Sequence, residues 1–128
     1  MTYHFSKTVN LAMDAAVAKV SDALKQEGFG ILTEIDVQKT LKTKIDADFR
    51  PYRILGACNP SFAYKALLAE DKIGTMLPCN VIVQEKSPGT VEVSAVDPLE
   101  SMKAIDNPAL GAIATEVRSR LQRVIEQL

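Results

Sequence analysis

The sequence is poor in the residues that most metal sites and nucleophilic enzymes are built from: it has one histidine and two cysteines. A lone imidazole, His4, makes a catalytic triad or a histidine-rich metal site hard to assemble, and His4 reads as a strand residue. Two cysteines do not make a disulfide framework, and a chain of 128 residues buries enough surface to fold without staples. Positive charge is not in surplus either. Fifteen Lys and Arg stand against sixteen Asp and Glu, for a formal charge of −1, and the basic residues are scattered. That excludes a clustered cationic face for nucleic acid. Arg118, Arg120 and Arg123, interleaved with Glu116 and Glu126, read as a solvated helix face rather than a phosphate site. No apolar run approaches the roughly 18 residues of a membrane span, and the opening MTYHFSKTVN lacks the charged-then-apolar layout of a secretion signal. A cytoplasmic, membrane-free location with reduced thiols is therefore expected. A glycine-rich phosphate loop, a Gly-x-Ser-x-Gly elbow and a Cys-x-x-Cys pair are all missing. So are repeats, linkers and low-complexity tracts, so residues 1–128 are expected to form a single domain.

What is present is alternation and helical periodicity in turn. TYHFSKTV alternates as a first strand. Asn10 offers a helix cap, and Met13, Val17, Val20 and Leu24 then recur at helical spacing until Gly28. GILTEI resumes as a strand. Val37, Leu41 and Ile45 fit either a short helix capped by Asp36 or a continuing strand, and the helix is preferred because it puts Lys39, Lys42 and Lys44 on the wet side. RPYRILGAC is a third strand with Pro51 at its start or on an edge. Asn59-Pro60 supplies a cap followed by a first-turn proline, opening a helix with Ala63, Leu67 and Leu68 that stops near Gly74. CNVIVQEK and TVEVSAV flank Ser87-Pro88-Gly89-Thr90, which fits a type II turn. After a short helical turn at Asp97-Pro98, Asn107-Pro108 repeats the helix-start device. Leu110, Ile113, Val117, Leu121, Val124 and Leu128 then mark an amphipathic final helix. The expected class is α+β, a largely antiparallel sheet with its long helices on one face.

The chemically distinctive segment is GACNPSFAYKALLAEDKIGTMLPCN, which has a cysteine followed by asparagine near each end. Cys58 would lie just before a helix, where the exposed amides favour a thiolate. It also reads as a small buried apolar residue at a strand end. Cys79 begins a strand after Pro78. If the helix between them is continuous to about Ile73 it spans roughly 20 Å, which separates the thiols unless the flanking strands rejoin them across the sheet. A bridge needs Cα atoms within about 7 Å, and a disulfide is not expected. A two-cysteine metal site would need partners such as Asp97 or His4, so no metal-ligand set is assigned. Asn59 is most simply a cap. Asn80 opens a strand, where asparagine is disfavoured, and so is a candidate to bond a turn or a ligand. Tyr52, Arg53 and Tyr64 lie near enough in sequence to help orient a small anion.

EGFGILTEIDVQKTL, PYRILGACNP, AYKALLAEDKIGTMLPCNVIVQE and VDPLESM together resemble the bacterial and archaeal domain-of-unknown-function family 302, over nearly the whole chain. The resemblance implies a β-α-β(4)-α core related to TATA-box-binding-protein-like folds, with the Pro60 helix as an extra helix inserted between strands. It singles out Cys58, Asn59, Pro60, Pro78, Cys79 and Asn80 without implying an activity, a cofactor or DNA binding. The expectation is a small binding domain without catalysis of its own, holding a small molecule, a thiol-reactive species or a metal through Cys58, Asn59, Cys79, Asn80, Tyr52 and Tyr64. Two alternatives stand beside it: a thiol enzyme or redox protein with Cys58 as nucleophile, and a structural module that pairs as a homodimer.

Overall fold

The structure, a computed structural model, describes residues 2–128. Its strands are β1 (His4–Val9), β2 (Gly30–Asp36), β3 (Tyr52–Cys58), β4 (Cys79–Ser87) and β5 (Thr90–Val96). Its helices are α1 (Met13–Gln26), α2 (Val37–Ile45), α3 (Pro60–Ala69), α4 (Pro98–Ser101) and α5 (Pro108–Glu126), with a 3-10 turn over Asp71–Met76 after α3. Among the described residues the strands form one sheet in the order β1-β5-β4-β3-β2, antiparallel at every pairing. Strands β2 to β5 run as a meander, and α1 carries the chain from β1 at one edge to β2 at the other. The β-α-β(4)-α order is thus present, with α3 inserted between β3 and β4.

Helices α1 and α5 close one face of the sheet. The α1 stripe buries Val20 and Leu24 together with Ala16 and Ala23, while α5 buries Val117, Leu121, Val124 and Ile125. They meet Leu55 and Ala57 of β3, Val81 and Val83 of β4, and Val91, Val93 and Ala95 of β5 in the main core. These residues alternate along each strand, so the face toward the helices is uniformly apolar, whereas the outward positions mix Ile54, Ile82 and Val96 with Asn80, Gln84 and Glu92. A smaller cluster of Ala66, Ile73 and Leu110 lies beyond the end of the sheet, joined by Ala69, Leu77, Met102, Ile105 and Ile113.

Helix ends follow local chemistry with instructive exceptions. Helix α1 closes as the glycine predicts: Gly28 takes φ +88°, its N–H donates to Lys25 O, and the Phe29 N–H donates to Leu24 O at 2.9 Å. Its start differs from expectation. The cap position is Ala12, not Asn10, and no side chain caps it. Residues 10–12 are used to turn off the edge strand, and Leu11 packs against the core on the way. Asp36 does cap α2, accepting from the Lys39 N–H at 2.9 Å. Yet no α2 residue is buried, so Ile45 joins the lysines in solvent. Helix α3 ends at Ala69 rather than near Gly74. The chain leaves helical geometry at Glu70, φ −149° and ψ 106°; Asn107 Nδ2 then satisfies the freed Ala69 carbonyl at 2.9 Å, while its Oδ1 accepts from the Ala109 N–H. One side chain therefore serves the end of α3 and the start of α5. Asn59, expected to act the same way, makes no capping bond. Its amide lies instead over Gly28, where a Cβ would meet Asn59 Nδ2 at 3.0 Å.

The β3–β4 pairing sets Ala57 opposite Cys79 and Gly56 opposite Asn80. Gly56 has no room for a side chain: a Cβ would sit 2.7 Å from Pro78 Cγ and would also clash with Thr33 Oγ1. Gly56→Ala is expected to destabilise the protein by about 1–3 kcal/mol, the usual cost of overpacking, as measured by urea unfolding. An unchanged midpoint would contradict this close approach.

Candidate functional site

The ends of β3 and β4 nearest α3 border a cavity of about 40 Å³. It lies along the seam between the two core clusters. Phe29, Ala57, Cys79 and Val117 contribute from the main core; Ala66, Leu77, Met102 and Leu110 contribute from the smaller one. Helix α3 cannot follow the sheet, and the side chains on the two sides of the seam do not quite close it. Cys58, Asn59, Phe62 and Pro98 complete much of the wall.

Both cysteines line this cavity, and both are free thiols. The chain between them breaks at Glu70 and folds back through the 3-10 turn, so α3 does not hold its ends apart. Because Ala57 faces Cys79, Cys58 and Cys79 are diagonal neighbours on adjacent strands, with Cα atoms roughly 6 Å apart by sheet spacing alone. Cys79 is 9% exposed, on the helix-covered face. Cys58 is half-buried, at the last position of β3. Burial, and after it the nearby charge of Cys58, pushes the Cys79 thiol up to about 11. Both causes penalise the thiolate.

The remaining predicted residues divide. Asn59 belongs to the cavity. Asn80, next after Cys79 on a strand, faces the other way and lines a separate open groove on the outer face of the sheet. Tyr52 lines that groove too, with Tyr3, His4, Arg50, Gln84 and Glu92. There Arg50 donates to Gln84 Oε1 at 2.9 Å and stacks near Tyr52. Tyr64 is 65% exposed on the outer side of α3 and lines neither. The six residues therefore do not form one site. Strand alternation by itself separates Cys79 from Asn80.

The partners that a metal site was expected to need are engaged elsewhere. His4 Nδ1 is 2.7 Å from Ser6 Oγ. Asp97, 5% exposed, accepts from the Leu99 N–H at 3.0 Å and from Arg118 Nε at 3.0 Å, tying α4 to α5. Arg53, expected to help with an anion, pairs with Asp14 at 2.9 Å. The other two α5 arginines are also more than a solvated face. Arg120 donates to the Glu27 carbonyl, and Arg123 donates through two nitrogens to Glu27 Oε1, so the C-terminus of α1 is pinned to α5. Met102, from the end of α4, lines the cavity and was not anticipated. No local pattern announces it, because it enters the cavity wall only through the packing of α4 against α5.

The family model for "Domain of unknown function DUF302" matches residues 5–128. The chain belongs to the DUF302 family. A crystal structure described as an uncharacterized conserved DUF302 protein from Bacillus stearothermophilus shares 30% identity with it. That structure superposes with a TM-score of 0.90 over 99% of this chain and 98% of its own. No curated protein matches. DUF302 membership accounts for the α+β architecture and brings no activity with it. Among the described residues, no helix is long and apolar enough to cross a membrane.

The Cys79 environment makes a pH prediction. The folded chain holds this proton to about 11, against an ordinary 9.0. Below pH 9 the stabilisation is fully present, and it is lost as pH rises through the folded pKa, because the unfolded chain ionises first. Between about pH 8 and about pH 11, wild type is expected to lose about 2–3 kcal/mol more stability than Cys79→Ala. Urea unfolding of both at the two pH values measures the difference. Parallel losses would show that the thiol is not buried as described.

Proposed function

We propose that this DUF302 protein is a non-catalytic binding domain whose Cys58–Cys79 cavity takes a single small thiophilic species. The observation that carries this reading is that both cysteines of the chain, set side by side by the β3–β4 pairing, line one apolar cavity. Its volume narrows the occupant. About 40 Å³ admits an atom or two, far short of the roughly 150 Å³ that holds a benzene ring or the several hundred of an ordinary ligand pocket. The chemistry of the wall narrows it further. Asn59 is the one polar side chain in the lining besides the thiols. Among the described residues no buried side-chain nitrogen or oxygen lacks a hydrogen-bond partner. Nothing in the wall asks for a polar organic ligand, whereas sulfur is the donor it offers.

The same wall argues against thiol catalysis. A nucleophilic cysteine works as the thiolate, assisted by a neighbouring base or cation. The lining contains no histidine, carboxylate, lysine or arginine, and Cys79 resists ionisation. A second reading, pairing of two copies, draws on one feature: Tyr64, Leu67 and Leu68 stand 65%, 45% and 70% exposed at i, i+3 and i+4 on the outside of α3.

Two measurements separate these readings. Arsenite is expected to condense once per chain with the reduced thiols, As(OH)₃ + 2 RSH → (RS)₂AsOH + 2 H₂O, and to raise the melting temperature. Cys58→Ala and Cys79→Ala should each abolish both effects; an unchanged response in the double variant would remove the site. Sedimentation should show a concentration-dependent dimer that Leu68→Glu dissociates, and a monomer at every concentration would end the pairing reading.

A further inference from the structure

Three sulfur-bearing residues, Cys58, Cys79 and Met102, line the cavity at the seam of the two core clusters. Resting on the dithiol reading above, we propose that the species this cavity takes is a soft monovalent d¹⁰ cation of the cuprous class, held by the thiolates of Cys58 and Cys79 with the thioether of Met102 as third ligand.

Donor chemistry comes first. Thiolate and thioether select cuprous copper among biological cations, whereas calcium, magnesium and manganese require oxygen ligands. The lining presents no carboxylate and no imidazole. Zinc is thiophilic too, but it takes four ligands in its structural sites. Among the described residues no group of three or more His, Cys, Asp and Glu is placed to hold a metal. Two thiolates and a thioether instead suit a cation content with two or three sulfurs. The thioether belongs to a residue type that a search for hard or borderline ligands passes over.

Size and solvation agree. A bare ion bonded to sulfur in the wall needs little more than the 40 Å³ present, whereas a hydrated divalent ion needs room and oxygen partners for its water. The wall supplied by Phe29, Phe62, Leu77, Pro98 and Val117 is apolar and offers no oxygen ligand to compete with sulfur.

Charge is the third point. Binding releases two protons, M⁺ + 2 RSH → [M(SR)₂]⁻ + 2 H⁺, and leaves one net negative charge in an apolar place. Helix α3, ten residues long, begins beside Cys58. Asn59 sits at its cap position but makes no capping bond, so the amides of its first turn keep their positive end free of a side-chain partner. A bound anionic complex would meet that end.

The test uses the full chain, reduced and anaerobic, titrated with Cu(I) against a chromogenic cuprous chelator, with the copper environment read by X-ray absorption. One Cu(I) per chain in a shell of three sulfurs is the expected result. Cys58→Ser and Cys79→Ser should each weaken binding by more than the roughly 100-fold that an outer partner can be worth, and Met102→Leu by about 10-fold. The leucine swap conserves volume, so it tests ligation rather than folding. Circular dichroism checks that the serine variants are folded. Arsenite uptake without Cu(I) uptake overturns this assignment and leaves the dithiol reading standing; failure of both overturns the two together. A two-sulfur shell unchanged in Met102→Leu, or Zn²⁺ held by the same thiols in preference to Cu(I), also overturns it.

Discussion

Pro78 packs against a backbone position where only glycine fits. The distance from a would-be Gly56 Cβ to the Pro78 ring is 2.7 Å, and Thr33 crowds the same spot from β2. This contact joins three adjacent strands at the end of the sheet. It brings the start of β4 tight against the end of β3, in the register that sets Ala57 opposite Cys79. With a larger residue at Gly56, Pro78 would have to move and Cys79 with it. The meeting of the two cysteines, the cavity between the cores and the function proposed for it all rest on that close approach.

Around this point the protein is fastened by polar groups that each serve two elements. Asn107 bonds the end of α3 and the start of α5. Asp97 caps α4 and accepts from Arg118 of α5. Arg120 and Arg123 hold the last turn of α1 through Glu27. Exposed pairs of this kind contribute little individually, but Asp97 is largely buried and its two oxygens are both engaged. These ties set the position of α4, and with it Met102, relative to the cysteines. The cavity wall is therefore assembled from five separate stretches of chain, and its shape is a tertiary property.

The sheet has two faces of different chemistry. The covered face is aliphatic and carries Cys79. The outer face carries an open groove in which the polar residues Asn80, His4, Arg50 and Glu92 stand among Tyr3, Tyr52, Ile82 and Val96. A sequence motif such as Cys79-Asn80 looks like one functional unit when read as text, yet the pleat sends its two side chains to opposite sides. Cys58-Asn59 differs because it straddles the exit from β3 into α3, and both residues line the cavity.

Local physics alone determined much of this protein. The β4–β5 hairpin was legible from Pro88-Gly89, and Gly89 takes φ +77° there. The stripes of α1 and α5, the Asp36 cap, the Gly28 terminator and the two proline-led helix starts were legible as well, because each depends on residues within a turn or two of one another. What only the tertiary structure decided are the relations between distant parts. Asn10 yields the cap position to Ala12 because the chain must first leave the edge strand. Asn59 lies over Gly28 because the β2–β3 pairing sets Gly30 opposite Cys58. The two cysteines, 21 positions apart, become neighbours through strand pairing. Met102 enters the same cavity wall because α4 is tied to α5. Periodicity and capping act over a few residues and can be read in order along the chain. Which side chains share a cavity depends on register and packing summed over the whole molecule, and no short stretch of sequence contains that sum.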